Sequence, residues 1–168
     1  LWQLTGVGYT FAEGGEVRVR GGRIVGPSLS LKLQEDSSIG ISITGNCGGV
    51  HVHGTDVIAL GTGLLAANYS GKGSNRELFF TQATFDSNII GVHIKDNSYV
   101  SVAGLWAASS MMHQILIEGS QAQFVAAGGT IFNGGVYYAM ANHTLPPNCC
   151  NGITALGGSV TLTGLEVT

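Results

Sequence analysis

Charge is what this sequence most conspicuously lacks. Only 10% of its 168 residues are Asp, Glu, Lys or Arg, against roughly 25% in an average domain. Hydrophobic residues make up 44%, so disorder is excluded, because a disordered chain combines low hydrophobicity with high charge. The seven Lys and Arg are thinly spread and the net charge is −3. Arg18, Arg20 and Arg23 form the one basic cluster, too small to suggest a nucleic-acid partner. Proline is scarce, at three, and glycine does not recur at every third position, which excludes collagen. No apolar run approaches the ~18 residues of a membrane helix, and no basic-then-apolar leader opens the sequence. The three cysteines, Cys47 and the adjacent Cys149 and Cys150, do not make a disulfide framework, so free thiols are expected. Helical periodicity is missing too: no segment reads as a helix longer than about two turns.

Glycine is abundant instead, with 27 copies, and it punctuates short runs that alternate with period two. Examples are Glu16-Val17-Arg18-Val19-Arg20, Leu29-Ser30-Leu31-Lys32-Leu33, Ile39-Gly40-Ile41-Ser42-Ile43 and Val100-Ser101-Val102. Such runs are strands joined by turns. They also recur. Gly49-Val50-His51-Val52, Ser70-Gly71-Lys72-Gly73 and Gly91-Val92-His93-Ile94 align at a step of about 21 residues. The same shift sets Leu64 over Phe85 over Trp106, and Val57 over Leu78 over Tyr99. In the cleanest copy three strands are expected: Gly91 to Lys95, Tyr99 to Val102 and Leu105 to Ala108. The next copy reads Gln114 to Glu118, Gln123 to Ala126 and Thr130 to Phe132, and a last copy starts at Ile153. The surplus before Ile153 places a loop insertion at 136–150.

Three short strands per turn of about 21–23 residues imply an all-β fold: a right-handed single-stranded parallel β-helix spanning 1–168 as one domain. Val50, Val52, Val92, Ile94, Ile115 and Ile117 then point inward, and His51, Lys72, His93 and Leu116 outward. The strand-like end at Gly164-Leu165-Glu166-Val167-Thr168 has no polar cap, so the segment is expected to belong to a longer chain or to be covered by another.

The run Ser98-Tyr99-Val100-Ser101-Val102-Ala103-Gly104-Leu105-Trp106-Ala107-Ala108-Ser109, followed by Ile115-Leu116-Ile117-Glu118-Gly119, resembles the pectate-lyase-like β-helix of bacteriophage tailspikes over about residues 40–168. That resemblance implies a homotrimeric adhesin of the virion tail, joined to other tail or C-terminal domains. It would bind bacterial surface polysaccharide, capsule or O-antigen, often with depolymerase activity. A secreted polysaccharide lyase or glycoside hydrolase of the same fold is one alternative. A non-catalytic structural segment of a trimeric fibre is another. Trimer formation would account for the low charge, with outward apolar residues such as Leu116 facing a neighbour.

Glycoside hydrolysis needs two carboxylates. The repeat sets Asp56 one turn from Glu77, with Asp86 nearby, and these three are the candidate catalytic residues; the alternative is solvated turn positions, which favour Asp. His51, Lys72 and His93 form a candidate ligand-binding ladder of groups able to donate to hydroxyls or carboxylates, unless they are merely polar surface. Tyr137 and Tyr138 in the insertion are candidate sugar-stacking rings, with Tyr69 and Tyr99 behind them. Phe85 and Trp106 are expected in the core. No metal or cofactor is expected, since no His, Cys or Asp spacing of a metal site occurs.

Overall fold

The computed structural model describes residues 6–26, 37–68, 73–132 and 151–168. All of the regular structure in these residues is β, in fifteen strands numbered here in chain order. A six-stranded sheet holds β1 (Val7–Phe11), β4 (Ile39–Thr44), β7 (Thr62–Ala67), β10 (Ile90–Lys95), β12 (His113–Glu118) and β14 (Asn151–Ala155), in that order and all parallel. A second column runs through β2 (Val17–Arg20), β5 (Val50–His53) and β8 (Asn75–Thr81), and a third through β3 (Arg23–Val25), β6 (Asp56–Ile58) and β9 (Thr84–Asp86). Both end on β11 (Ser98–Ala108), whose first half pairs β8 and whose second half pairs β9. The long strands β13 (Gln123–Phe132) and β15 (Ser159–Val167) continue both columns at once. The chain thus visits the columns in rotation, in three short strands at first and with the second and third fused later.

Alternation decides what lies inside. Val50, Val52, Val92, Ile94, Ile115 and Ile117 are all buried, as expected, and join Ile41, Ile43, Leu64, Leu78, Phe80, Phe85 and Phe124 in one apolar core. Phe80 and Phe85 meet edge to face at 6.1 Å. Buried amides finish the corners. Asn88 Oδ1 accepts from the Leu60 N–H at 3.0 Å while its Nδ2 donates to the Val57 carbonyl at 3.1 Å. Asn75 does the same between the Cys47 N–H and the Ile43 carbonyl. Cys47 is a buried free thiol, and burial pushes its pKa up. Cys149 and Cys150 lie outside the described residues, as does the 136–150 insertion.

Two glycine columns hold the strands in register. A Cβ on Gly8 would stand 2.6 Å from the Gly40 carbonyl oxygen, one on Gly40 2.7 Å from that of Gly63, one on Gly63 2.5 Å from that of Gly91, and one on Gly91 2.5 Å from that of Gln114. No side chain fits at those approaches. Where the second column turns into the third, Gly21, Gly54, Gln82, Gly104, Gly128 and Gly164 all take left-handed φ between 52° and 66°, a conformation that favours residues without a Cβ.

The fixed 21-residue step is not the observed register. Val92 pairs with Ile115 and Ile115 with Ile153, as the repeat expects. However, Val50 pairs with Leu78 and Val92 with Leu64, steps of 28 residues. Phe85 pairs with Ala107, a step of 22, so Trp106 stands beside Thr84. A slip of one residue moves a side chain to the opposite face. Phe85 is therefore fully buried, whereas Trp106 is 45% exposed and leaves the expected core. Leu116, expected outward, is only 7% exposed, between His93 and Thr154, so it offers no apolar surface to a neighbouring subunit.

Candidate functional site

Val-Arg-Val-Arg in β2 and Val-His-Val-His in β5 carry the same alternation and pair directly. Each valine faces the core, which turns Arg18 to His51 and Arg20 to His53 on the outer face. In β8 the adjacent Phe79 and Phe80 cannot both face inward, because successive strand residues point oppositely. Phe80 is buried and Phe79 is 38% exposed. Register then puts Phe79 beside His51, and the two rings stack at 5.1 Å with 25° between their planes.

This stack joins two hollows on the outer face of the second column. One, of about 410 Å³, is lined by Arg18, Arg20, His51, His53, Phe79 and Thr81. The other, of about 880 Å³, shares Phe79 and continues past Arg76, Glu77, Tyr99, Gln121 and Gln123. A bulge shapes the second: Asn75 pairs with Ser98 but Leu78 with Val100, so Arg76 and Glu77 together oppose Tyr99. Glu77 takes the left-handed conformation with φ 62°, and bulges of this kind re-aim side chains. Across five strands spaced at about 4.8 Å, the groove runs about 19 Å. Its surface offers aromatic faces, amide groups and cations, which suits ligands with both apolar faces and hydroxyls.

The predicted residues are distributed differently from the expected ladder and pair. His51 lies in the groove. His93 lies in the other sheet, on β10, so the two do not share a ladder; Lys72, Tyr69, Tyr137 and Tyr138 lie outside the described residues. Tyr99 is half-buried and lines the groove. Asp56 and Glu77 are not stacked, because Asp56 pairs with Arg23 and Thr84 in the third column while Glu77 sits in the second. Asp86 does come close to Asp56. It lies on the adjacent strand two residues further along, which sets the two backbones about 8 Å apart on one face. The Arg23 Nε is 3.8 Å from the Asp56 carboxylate, and Ser87 Oγ donates to Asp86 at 2.9 Å. Trp106 stands one strand beyond Thr84, diagonal to Asp86, with its indole 6.4 Å from the half-exposed Phe132 ring.

His93 belongs to a separate polar cluster on the six-stranded sheet. Its Nε2 is 2.7 Å from Glu118 Oε2, and Lys95 Nζ reaches the same oxygen at 3.2 Å. Burial lowers the His93 pKa against the opposing pull of Glu118. Burial likewise lowers that of His113, whose Nδ1 lies 3.0 Å from Thr154 Oγ1. The His93 hydrogen bond holds the Glu118 carboxyl below the usual range. Among the described residues no three of His, Cys, Asp and Glu gather as a metal site would require.

No family model matches the chain, and neither curated proteins nor solved structures yield a match. The side chains of the groove therefore carry the functional argument alone. Of the residues lining this groove, the sequence singles out His51 by its place in the repeat and Tyr99 as an aromatic, but not Phe79, Arg20, Gln121 or Gln123. The signals were present: the doubled phenylalanine in β8, and two Val-x-Val-x runs that differ only in their outward residues.

Proposed function

We propose that the three strand columns are the walls of a right-handed single-stranded β-helix, and that the protein is a tailspike-type adhesin binding bacterial capsule or O-antigen polysaccharide along the outer groove. The observation that carries this reading is the exposed Phe79 ring, stacked on the half-buried His51 and shared by two adjoining hollows. Sugars present an apolar face to such rings and their hydroxyls to flanking amides and cations. On this reading the protein acts as a homotrimer in the virion tail beside other tail domains. The test is binding to a panel of bacterial surface polysaccharides. Phe79→Ala should weaken binding about ten-fold or more with the fold intact; unchanged affinity would remove the groove from the proposal. Sedimentation should give three times the chain mass, and a monomer would remove the trimer.

Depolymerisation is a second reading, favoured by the placement of Asp56 and Asp86. The two side chains rise from one face of adjacent strands, with backbones about 8 Å apart, so both can reach one glycosidic bond; inverting glycosidases use such a pair on opposite sides of the bond. One carboxylic acid would protonate the glycosidic oxygen while the other takes a proton from the attacking water. Asp56→Asn and Asp86→Asn should each abolish release of oligosaccharide and leave binding in place. Release that persists in both variants would exclude the pair.

A further inference from the structure

The two halves of the groove differ in charge. Three of the chain's seven Lys and Arg line the groove, on a protein whose net charge is −3. Arg18 and Arg20 stand at the β2 end with His51 and His53. Arg18 is already paired with Glu16. Arg20 makes no ion pair among the described residues, and it projects from the same face as its register partner His53. No carboxylate lines that hollow. In the larger hollow Arg76 and Glu77 offset one another, and the remaining polar surface comes from Asn97, Tyr99, Gln121 and Gln123. One end of the groove is thus cationic and the other is formally neutral and rich in amides, with the Phe79 ring between them.

We infer that the groove recognises a glycan of mixed charge, with the carboxylate of an acidic sugar held by Arg20 and His53 and neutral sugars of the same chain lying over Phe79 and along Tyr99, Gln121 and Gln123. This rests on the polysaccharide reading above and adds the class of repeat unit. Arg20 supplies a guanidinium fork that matches a carboxylate with two parallel hydrogen bonds. The amide end supplies both donors and acceptors for hydroxyls and no excess charge. A polymer with a carboxylate on every residue would set uncompensated charge against Glu77 and the glutamines. A wholly neutral polymer would leave the Arg20 guanidinium without a partner.

The experiment compares bacterial capsular polysaccharides whose repeats join one uronic acid to neutral sugars with the same polymers after reduction of their carboxyls to alcohols. A homopolyuronate and single-stranded DNA are included. Native polymer should bind about ten- to hundred-fold tighter than its reduced form, the range expected for a charge-assisted hydrogen bond. Arg20→Gln should erase that preference, while Phe79→Ala should weaken both forms. Equal affinity for native and reduced polymers would overturn the charge inference and leave the saccharide reading standing. Equal binding of homopolyuronate or DNA would show simple polyanion attraction and overturn it as well. Failure of every polysaccharide to bind would overturn the groove reading itself. Arg20 is exposed, so Arg20→Gln should keep the wild-type melting temperature, which confirms that lost preference is not lost fold.

Discussion

Replacing Asn88 by Ala should reveal how much a single buried amide contributes to the stacking of strands. Asn88 is fully buried, and its side chain spans the corner between β9 and β10 to reach residues 28 and 31 positions earlier. Alanine leaves the Leu60 N–H facing the gap and removes the second donor from the Val57 carbonyl, which stays within the β6–β9 ladder. One orphaned buried group costs about 1–3 kcal/mol, and that is the loss expected. The total stability of a domain is about 5–15 kcal/mol, which makes this a large fraction. Urea unfolding followed by circular dichroism measures it as a lower midpoint at unchanged slope. Asn97→Ala is the control: it removes a half-buried amide, with no side-chain hydrogen bond spanning strands among the described residues, from the turn after β10 and should cost less than about 1 kcal/mol. A loss below about 1 kcal/mol for Asn88→Ala would refute the reasoning, since the corner would then satisfy its backbone groups without the amide.

Three further outcomes follow from the same geometry. Gln82 is the one non-glycine in a column of left-handed corners, at φ 52°. Gln82→Gly should therefore raise stability by about 0.5–1 kcal/mol, seen as a higher melting temperature; a lower one would contradict the strain. Gly91→Ala should cost roughly 1–3 kcal/mol, because its Cβ would meet the Gln114 carbonyl; wild-type stability would mean that the backbone yields there. Acid should destabilise the fold in two stages. The unfolded chain protonates His93 and His113 near the ordinary value of 6.5, which the folded chain resists, so stability falls as pH drops below that value. Below 4.5 the stability linked to the depressed Glu118 carboxyl is lost in turn. A melting temperature that stays flat between about pH 7.5 and about 5 would contradict the first stage, and His113→Gln should shallow it.

The all-β class, the inward residues and the later registers were legible because strand alternation is a local signal. Val92 with Ile115 and Ile115 with Ile153 could be matched, since β10 and β12 are aliphatic runs and Ile153 holds the matching place in β14. The earlier registers were not legible, because the step between paired strands is not constant. Gly71-Lys72-Gly73 mimics a repeat by composition, yet β5 pairs with the strand holding Leu78. With a period-two pattern, a one-residue error still looks regular while exchanging core for surface. That is how Trp106 was sent inward, while a step of 21 in place of the observed 28 set Glu77 over Asp56. The groove depended on which outward residues become neighbours, and this follows only from the true register. What would have helped were the glycines themselves, since Gly21, Gly54, Gly104, Gly128 and Gly164 mark one corner on successive circuits.

The ladder of Gly8, Gly40, Gly63 and Gly91 separates position from length. Each glycine docks against a carbonyl of the neighbouring strand, so these posts set where strands meet, however much chain is spent between them. From Gly8 to Gly40 the chain spends 32 residues and from Gly40 to Gly63 only 23, yet the same close approach is kept. Lengthening a connection costs little, about 0.6 kcal/mol for each doubling. A scaffold of this kind can gain or lose loop residues without shifting the side chains it displays. Grafting a foreign peptide into a corner loop should therefore leave the Arg20–His53–Phe79 surface in place, and lineages carrying this fold are free to diversify their loops independently of their face.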